Sequence, residues 1–228
     1  MRFHQVFAVC LCVAAVGCAH QNIGAESRAS KVTDADAGRL KPTQDRLVDE
    51  ARSTLGAASD NLARTKLKIQ DAKNEEQGAK AEAKAGEAAL SAAAAQQQMA
   101  DQSREPAALA NATKQQELAA AKKRAAEAHL TYARNLVAAN EARAQVAEQQ
   151  VEVAQARVDW AKLQALQQAK NPAAGKYDAG RFQTTVNDAQ VNLTAMQKRA
   201  KGLDEEATLS KQAWELSQRQ VATRETRR

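Results

Sequence analysis

The feature that most constrains this chain is a repeat of small and apolar residues at alternating spacings of three and four, which covers most of its 228 residues. Such spacing places these side chains on one face of an α-helix and is typical of coiled coils. The composition agrees, because aromatic residues make up only 3% of the chain and the strong helix formers dominate it. The repeat predicts an all-α fold without a compact globular core.

Two groups of helix-breaking residues divide the repeat into three segments. They are Asp101–Pro106 and Asn171–Gly180, and the second group includes Asp178 as a candidate N-cap. Within a coiled-coil domain of residues 43–224, the predicted helices cover residues 43–102, 106–170 and 179–224. The middle helix carries two apolar stripes, so it needs two neighbours. We expect an elongated antiparallel three-helix coiled coil.

Alanine fills many of the predicted seam positions. It allows helices to approach closely but buries less apolar area than leucine, so each layer contributes less stability. We therefore expect a long rod of marginal stability. Self-association is a further expectation, because alanine-rich seams can exchange partners between chains.

The beginning of the chain has the layout of a secretory signal. Arg2 precedes an apolar run over residues 6–16 that is too short to span a bilayer, and small residues follow. We predict a signal peptide over residues 1–17. A cytosolic protein with an apolar N-terminus is the alternative.

All three cysteines, Cys10, Cys12 and Cys18, lie in this first part of the chain. Gly17-Cys18-Ala19 satisfies the small-x-small rule of ordinary signal peptidase. Ala15-Val16-Gly17-Cys18 resembles the lipobox of bacterial lipoproteins, although leucine is usual in that family at the position of Ala15. The resemblance implies that the Cys18 thiol receives a diacylglyceryl group and that the mature protein has no free thiol.

Residues 18–42 mix Ser, Asp, Gly, Lys and Asn without apolar periodicity, which predicts a lipidated flexible tether. By analogy with bacterial lipoproteins, Ala19 and His20 lack the aspartate that retains such proteins at the inner membrane. The expected location is the outer membrane, facing the periplasm, with the membrane bound through Cys18.

No catalytic, cofactor-binding or metal-binding residue is expected. His4 lies in the signal peptide, His20 lies in the tether, and His129 stands alone beside a seam as a solvated or rim residue. The carboxylates interleave with Lys and Arg at helical spacing, as on a solvated ion-pair face. We therefore predict a protein that is not an enzyme.

The larger aromatic side chains fall on the heptad seams. This position favours core packing over ligand binding, with stacked contacts between the second and third helices. The aromatic residues concerned are Tyr132, Trp160, Phe182 and Trp214.

The formal net charge is +6. Basic residues are dense at Lys122-Lys123-Arg124 and towards the end of the chain, which closes in a basic tail over residues 225–228. We predict contact with an anionic envelope polymer, a lipid headgroup or an envelope protein, and not with nucleic acid, because the chain carries a secretion signal and few aromatics. The candidate contact residues are Arg219, Arg224, Arg227 and Arg228.

The lipidated cysteine, the heptads and the basic tail over residues 222–228 together resemble the murein lipoproteins. In that family a terminal lysine is joined to peptidoglycan, and Arg228 has no such amine, so the resemblance does not extend to covalent attachment. Residues 48–166 resemble the α-helical hairpin of periplasmic efflux adaptors, whose β-domains have no counterpart here. These resemblances imply an envelope spacer or scaffold, or alternatively a docking subunit of a channel, secretion or motility complex.

Overall fold

The structure, a computed structural model, describes residues 31–38 and 42–226, without the side chains of 42–44. The described residues form four α-helices and one short 3-10 helix. In chain order these are α1 (Asp34–Ala37), α2 (Pro42–Ser103), α3 (Pro106–Gln168), the 3-10 helix (Pro172–Lys176) and α4 (Ala179–Thr226). The predicted all-α fold is confirmed, and the three long helices agree with the predicted boundaries within two residues.

Helix α3 lies between α2 and α4 and packs antiparallel to both. Its antiparallel register with α2 is visible in the ion pairs Lys66–Glu148 and Lys73–Glu141. Its register with α4 is visible in the pairs Arg143–Asp204 and Glu117–Arg224. Within the described residues, α2 and α4 hardly touch each other. The two apolar stripes of α3 therefore serve two separate interfaces.

The buried residues of the interfaces follow the predicted heptads. On α2 they include Val48, Ala72, Ala79 and Ala93, and on α4 they are Phe182, Leu193, Ala200, Ala207 and Val221. At Gly86 the α2 and α3 backbones come so close that an added Cβ would lie 3.1 Å from the Cα of Lys123. Small side chains thus set the helix spacing along the α2–α3 interface.

Both turns between the long helices contain a non-glycine residue with positive φ, Arg104 (56°) and Lys170 (53°). At the end of α3, the Lys170 N–H donates to the Gln167 carbonyl and the Asn171 N–H donates to the Leu166 carbonyl, each over 3.0 Å. This pair of bonds is the Schellman motif. The Oδ1 of Asp178 accepts the Gly180 N–H over 2.8 Å, which confirms the predicted N-cap of α4.

Residues 31–38 fall within the range that we expected to be a flexible tether, but the structure places them against the end of the helical array that holds the α3–α4 connection. Val32 is buried there with Leu163, Leu166 and Phe182. Trp160 and Tyr177 pack around this cluster. We call this end the base. A single valine in a polar segment carries no helical pattern, so this contact leaves no periodic signal in the sequence.

Polar contacts hold α1 onto the base. Lys162, whose side chain is only 7% exposed, donates from Nζ to Asp34 over 2.8 Å. Asp36 accepts the hydroxyl of Tyr177 over 2.7 Å and the Nζ of Lys176 over 3.1 Å. These hydrogen bonds lower the pKa of both Asp34 and Asp36 below the ordinary value of 3.8. The segment before α2 is therefore fixed by charge as well as by Val32.

Candidate functional site: a basic groove far from the base

A groove of about 680 Å³ lies between the N-terminal part of α3 and the C-terminal part of α4. Its lining consists of Lys114, Glu117, Leu118, Leu216, Arg219, Gln220, Thr223 and Arg224. The antiparallel register produces it, because the start of α3 and the end of α4 meet at the same end of the array. We call this feature the distal groove.

Leu118 belongs to a buried cluster with Ala121, Ala125 and Val221, which joins the two helices beside the groove. Leu216 is 57% exposed on the opposite wall. The groove thus combines a buried apolar side chain, Leu118, with an accessible one, Leu216.

Three cations line the distal groove. Arg224 Nη1 lies 2.9 Å from Glu117 Oε2 and is half exposed. Within the described residues, Lys114 and Arg219 form no ion pair. The neighbouring pair Lys122–Glu225, with Nζ and Oε1 2.8 Å apart, ties α3 to α4 outside the groove. Lys114 and Arg219 therefore leave a local excess of positive charge that suits an anionic group.

The structure brings together two of the four predicted contact residues, Arg219 and Arg224, on one wall of the groove. Arg227, Arg228 and the predicted lipidation site Cys18 lie outside the described residues. Sequence reasoning missed Lys114, because only the register between α3 and α4 brings it to the same groove as Arg219. A sequence without contact information holds no signal for that pairing.

A second cluster is centred on His129, in the middle of the array. Its ring stacks on Trp214 of α4, with centroids 4.1 Å apart and an angle of 8° between the planes. Tyr132 stacks on the same indole at 5.5 Å. The Nδ1 of His129 forms a 2.7 Å hydrogen bond with Glu82 of α2, and its Nε2 lies 3.6 Å from Glu75. His129 therefore connects α2 with α4.

Of the two positions expected for His129, the solvated one was wrong, since its side chain is only 12% exposed, whereas the partly buried residue does lie at the rim of a seam. The indole of Trp214 covers one side of the ring, a contact that depends on the third helix. The seam positions predicted for Tyr132 and Trp214 do produce stacking between the helices. Burial, followed by the nearby carboxylates of Glu75 and Glu215, raises the pKa of the Tyr132 hydroxyl.

A second cross-connection between α2 and α4 lies three helical turns further along α3. The side-chain amide of the buried Asn140 donates to the Lys68 carbonyl of α2 over 3.4 Å. Its oxygen accepts Arg143, which in turn pairs with Asp204 of α4 at 2.9 Å. Together with His129, this network links the two outer helices through α3, although they barely contact one another directly.

Within residues 31–38 and 42–226, no group of three His, Cys, Asp or Glu side chains could hold a metal ion. A search of the same residues finds no helix with the length and apolar character needed to cross a membrane. Comparison with protein families, with curated proteins and with solved structures gives no match.

Proposed function

We propose that this protein is a non-enzymatic, lipid-anchored component of the bacterial envelope that acts as a periplasmic coiled-coil spacer or scaffold. The observation that carries the proposal is the position of Val32 relative to the distal groove. Val32 is buried against Leu163 at the base, whereas Leu118 lies at the groove. On one continuous helix these two leucines are about 70 Å apart at 1.5 Å per residue.

The docked segment gives the array a defined orientation relative to the proposed anchor. Only residues 19–31 separate Cys18 from Val32, and a coil of that length spans about 20 Å on average. In a single chain the base is then the end next to the membrane surface, and Lys114, Arg219 and Arg224 are held away from it. The cross-connections through His129 and Arg143 stiffen the connection between the two ends.

The lipid anchor is tested by metabolic labelling with an alkyne palmitate analogue in a bacterial host. The wild-type chain and a Cys10→Ala/Cys12→Ala variant should incorporate the label and remain in the outer-membrane fraction. A Cys18→Ala variant should lose the label and appear in the soluble periplasmic fraction. Labelled, membrane-bound Cys18→Ala protein would contradict the anchor.

The distal groove favours a second candidate function, a docking subunit of an envelope channel, secretion or motility complex. Leu216 and the two cations that form no ion pair within residues 31–38 and 42–226 provide the apolar and charged contacts that a partner requires. A photo-crosslinking amino acid placed at Arg219 or at Gln102, near the α2–α3 turn, distinguishes the two functions in cells. One stoichiometric envelope protein captured at both positions indicates docking, whereas self-capture or no capture indicates a spacer or scaffold.

A direct test of the groove compares Arg219→Glu with Arg64→Glu, an exposed change on α2 that alters the net charge equally. Sedimentation with purified peptidoglycan sacculi measures binding to an anionic polymer. If the groove binds the polymer, Arg219→Glu lowers the sedimented fraction and Arg64→Glu does not. The sedimented fraction of the wild-type protein then falls as the salt concentration rises. Equal sedimentation of the two variants excludes the groove as the polymer site.

A further inference from the structure

The face of α4 that points away from α3 carries a stripe of exposed apolar and small residues. Val191 and Leu209 are 67% and 65% exposed, and they lie on the same side of the helix because about five turns separate them. Ala195, Gly202 and Ala213 are exposed on the same side. Within the described residues no other helix covers this side of α4, which we call the outer stripe.

We propose that the outer stripe is an interface with a second copy of this chain, in which the two α4 helices pack antiparallel and cross at Gly202. The position of Gly202 supports this register, because it lies at the midpoint of α4 (Ala179–Thr226), so the two helices overlap along their whole length. An added Cβ at Gly202 has open space around it in the single chain. The glycine is therefore not required for packing within the chain.

The register pairs large side chains with small ones. With Gly202 facing its counterpart, Val191 faces Ala213 of the second copy, and Ala195 faces Leu209. Such large-to-small alternation lets two helices interdigitate and approach closely. The same stripe in a parallel pair would place Leu209 against Leu209 and Ala195 against Ala195, with uneven spacing along the interface.

The charges beside the stripe are complementary in the same register. In a two-fold antiparallel pair each flank of α4 faces the same flank of the other copy. Because the two helices run in opposite directions, residues before Gly202 in one copy face residues after Gly202 in the other. On one flank Arg199 then faces Glu206, and on the other Lys198 faces Glu205. All four side chains are exposed, and Glu205 is held only by a 3.9 Å contact with Lys201. Two-fold symmetry doubles each pairing.

This inference does not depend on the lipid anchor, but it affects the arrangement in the envelope. The bases of the two copies would lie at opposite ends of the α4 pair, about 70 Å apart for a helix of 48 residues. Two anchors in one membrane would then hold the dimer along the membrane surface, as a scaffold. A monomer would instead stand as a spacer.

The test is disulfide crosslinking of the full chain in intact cells. A Gly202→Cys variant should form a covalent dimer on mild oxidation. Gly78→Cys on α2 is the matched control, because Gly78 is also an exposed helical glycine with open space for a Cβ. Absence of the dimer, equal dimer in the control, or an adduct only with a different protein would overturn the proposal.

Orientation is tested with Ala195→Cys and Leu209→Cys chains. Mixed, they should crosslink to each other, whereas Ala195→Cys alone should not dimerise, because its counterpart lies about 20 Å away in the antiparallel register. The ion pairs are tested by adding Arg199→Glu to the Gly202→Cys chain, which should reduce dimer yield about tenfold at low protein concentration. Adding Glu206→Arg should restore it. Crosslinking of Ala195→Cys alone, or no rescue by the charge swap, would show that the register is wrong.

Discussion

The rings of His129 and Trp214 lie parallel across the α3–α4 interface, with their centroids 4.1 Å apart. The same histidine contacts Glu82 of α2 at 2.7 Å, so the two residues join three helices at one level of the array. Around them the interfaces consist mainly of alanine, which contributes little buried area per layer. We expect this cluster to provide a disproportionate part of the stability in the middle of the protein.

Replacing Trp214 with alanine should therefore lower the free energy of unfolding by about 2–4 kcal/mol, the cost of deleting a large aromatic side chain from an interface. Trp214→Phe should cost less, because it keeps an aromatic ring against His129 and removes a buried indole N–H that has no hydrogen-bond partner among the described residues. Urea unfolding followed by circular dichroism measures both. Equal losses for the two variants would show that the stack does not matter.

Glycine-to-alanine substitutions should have opposite effects at two positions of α2. Gly78→Ala should stabilise the protein by about 0.5–1 kcal/mol, since alanine favours the helix and an added Cβ meets nothing within 4 Å. Gly86→Ala should destabilise it, because the new Cβ would lie 3.1 Å from the Lys123 backbone and push α2 away from α3. Thermal unfolding of the two variants side by side tests the close approach, and a stabilised Gly86→Ala protein would contradict it.

Lys170→Gly should stabilise the end of α3. Lys170 has a φ of 53°, in the left-handed region where an L side chain costs about 1 kcal/mol and glycine costs none. The Schellman hydrogen bonds use only backbone atoms and remain intact. The free energy of unfolding, measured with urea, should rise by about 0.5–1 kcal/mol. Arg104→Gly, at the other turn, should behave in the same way, and a loss of stability in both variants would be inconsistent with this explanation.

Docking of residues 31–38 on the base should weaken at acid pH. The pKa values of Asp34 and Asp36 are lower in the folded protein than their ordinary value of 3.8, because Lys162 contacts the first and Tyr177 and Lys176 contact the second. Their stabilisation is therefore fully present above about pH 4 and is lost as the pH falls through the lowered folded values. Hydrogen exchange of the peptide 31–38, corrected for intrinsic rates, should show constant protection from pH 5 to 8 and increasing exchange below pH 4. An Asp34→Asn/Asp36→Asn variant should lack this dependence.

Asp159 should make the stability of the protein depend on pH in the opposite direction. Burial raises its pKa despite a hydrogen bond from Gln155, and in the part of the chain that the structure describes one of its oxygens has no hydrogen-bond partner. A raised folded pKa means that the wild-type carboxyl stabilises the fold at low pH and loses that contribution as the pH rises through the folded value. Asp159→Asn should therefore unfold at a higher urea concentration at pH 7, with the difference shrinking towards pH 3. If the two proteins differ by the same urea concentration at pH 3 and pH 7, titration of Asp159 is not the cause.

The sequence by itself determined the elements of this protein and their order. Long heptads bounded by Pro106, Pro172 and Asp178 predict the three long helices closely, because helix propensity, apolar period and terminal residues are local properties. The two stripes on α3 also indicate two neighbours. Arg219 and Arg224 stand out as a basic region from composition alone.

Only the tertiary structure decided which residues from different helices meet. It placed α2 and α4 on separate faces of α3, stacked Trp214 on His129, brought Lys114 and Arg219 to one groove, and docked Val32 at the base. Each of these contacts joins residues that are far apart in the chain and depends on the axial register of antiparallel helices. Register is fixed by the summed packing of many small layers, a property that no local stretch of sequence carries.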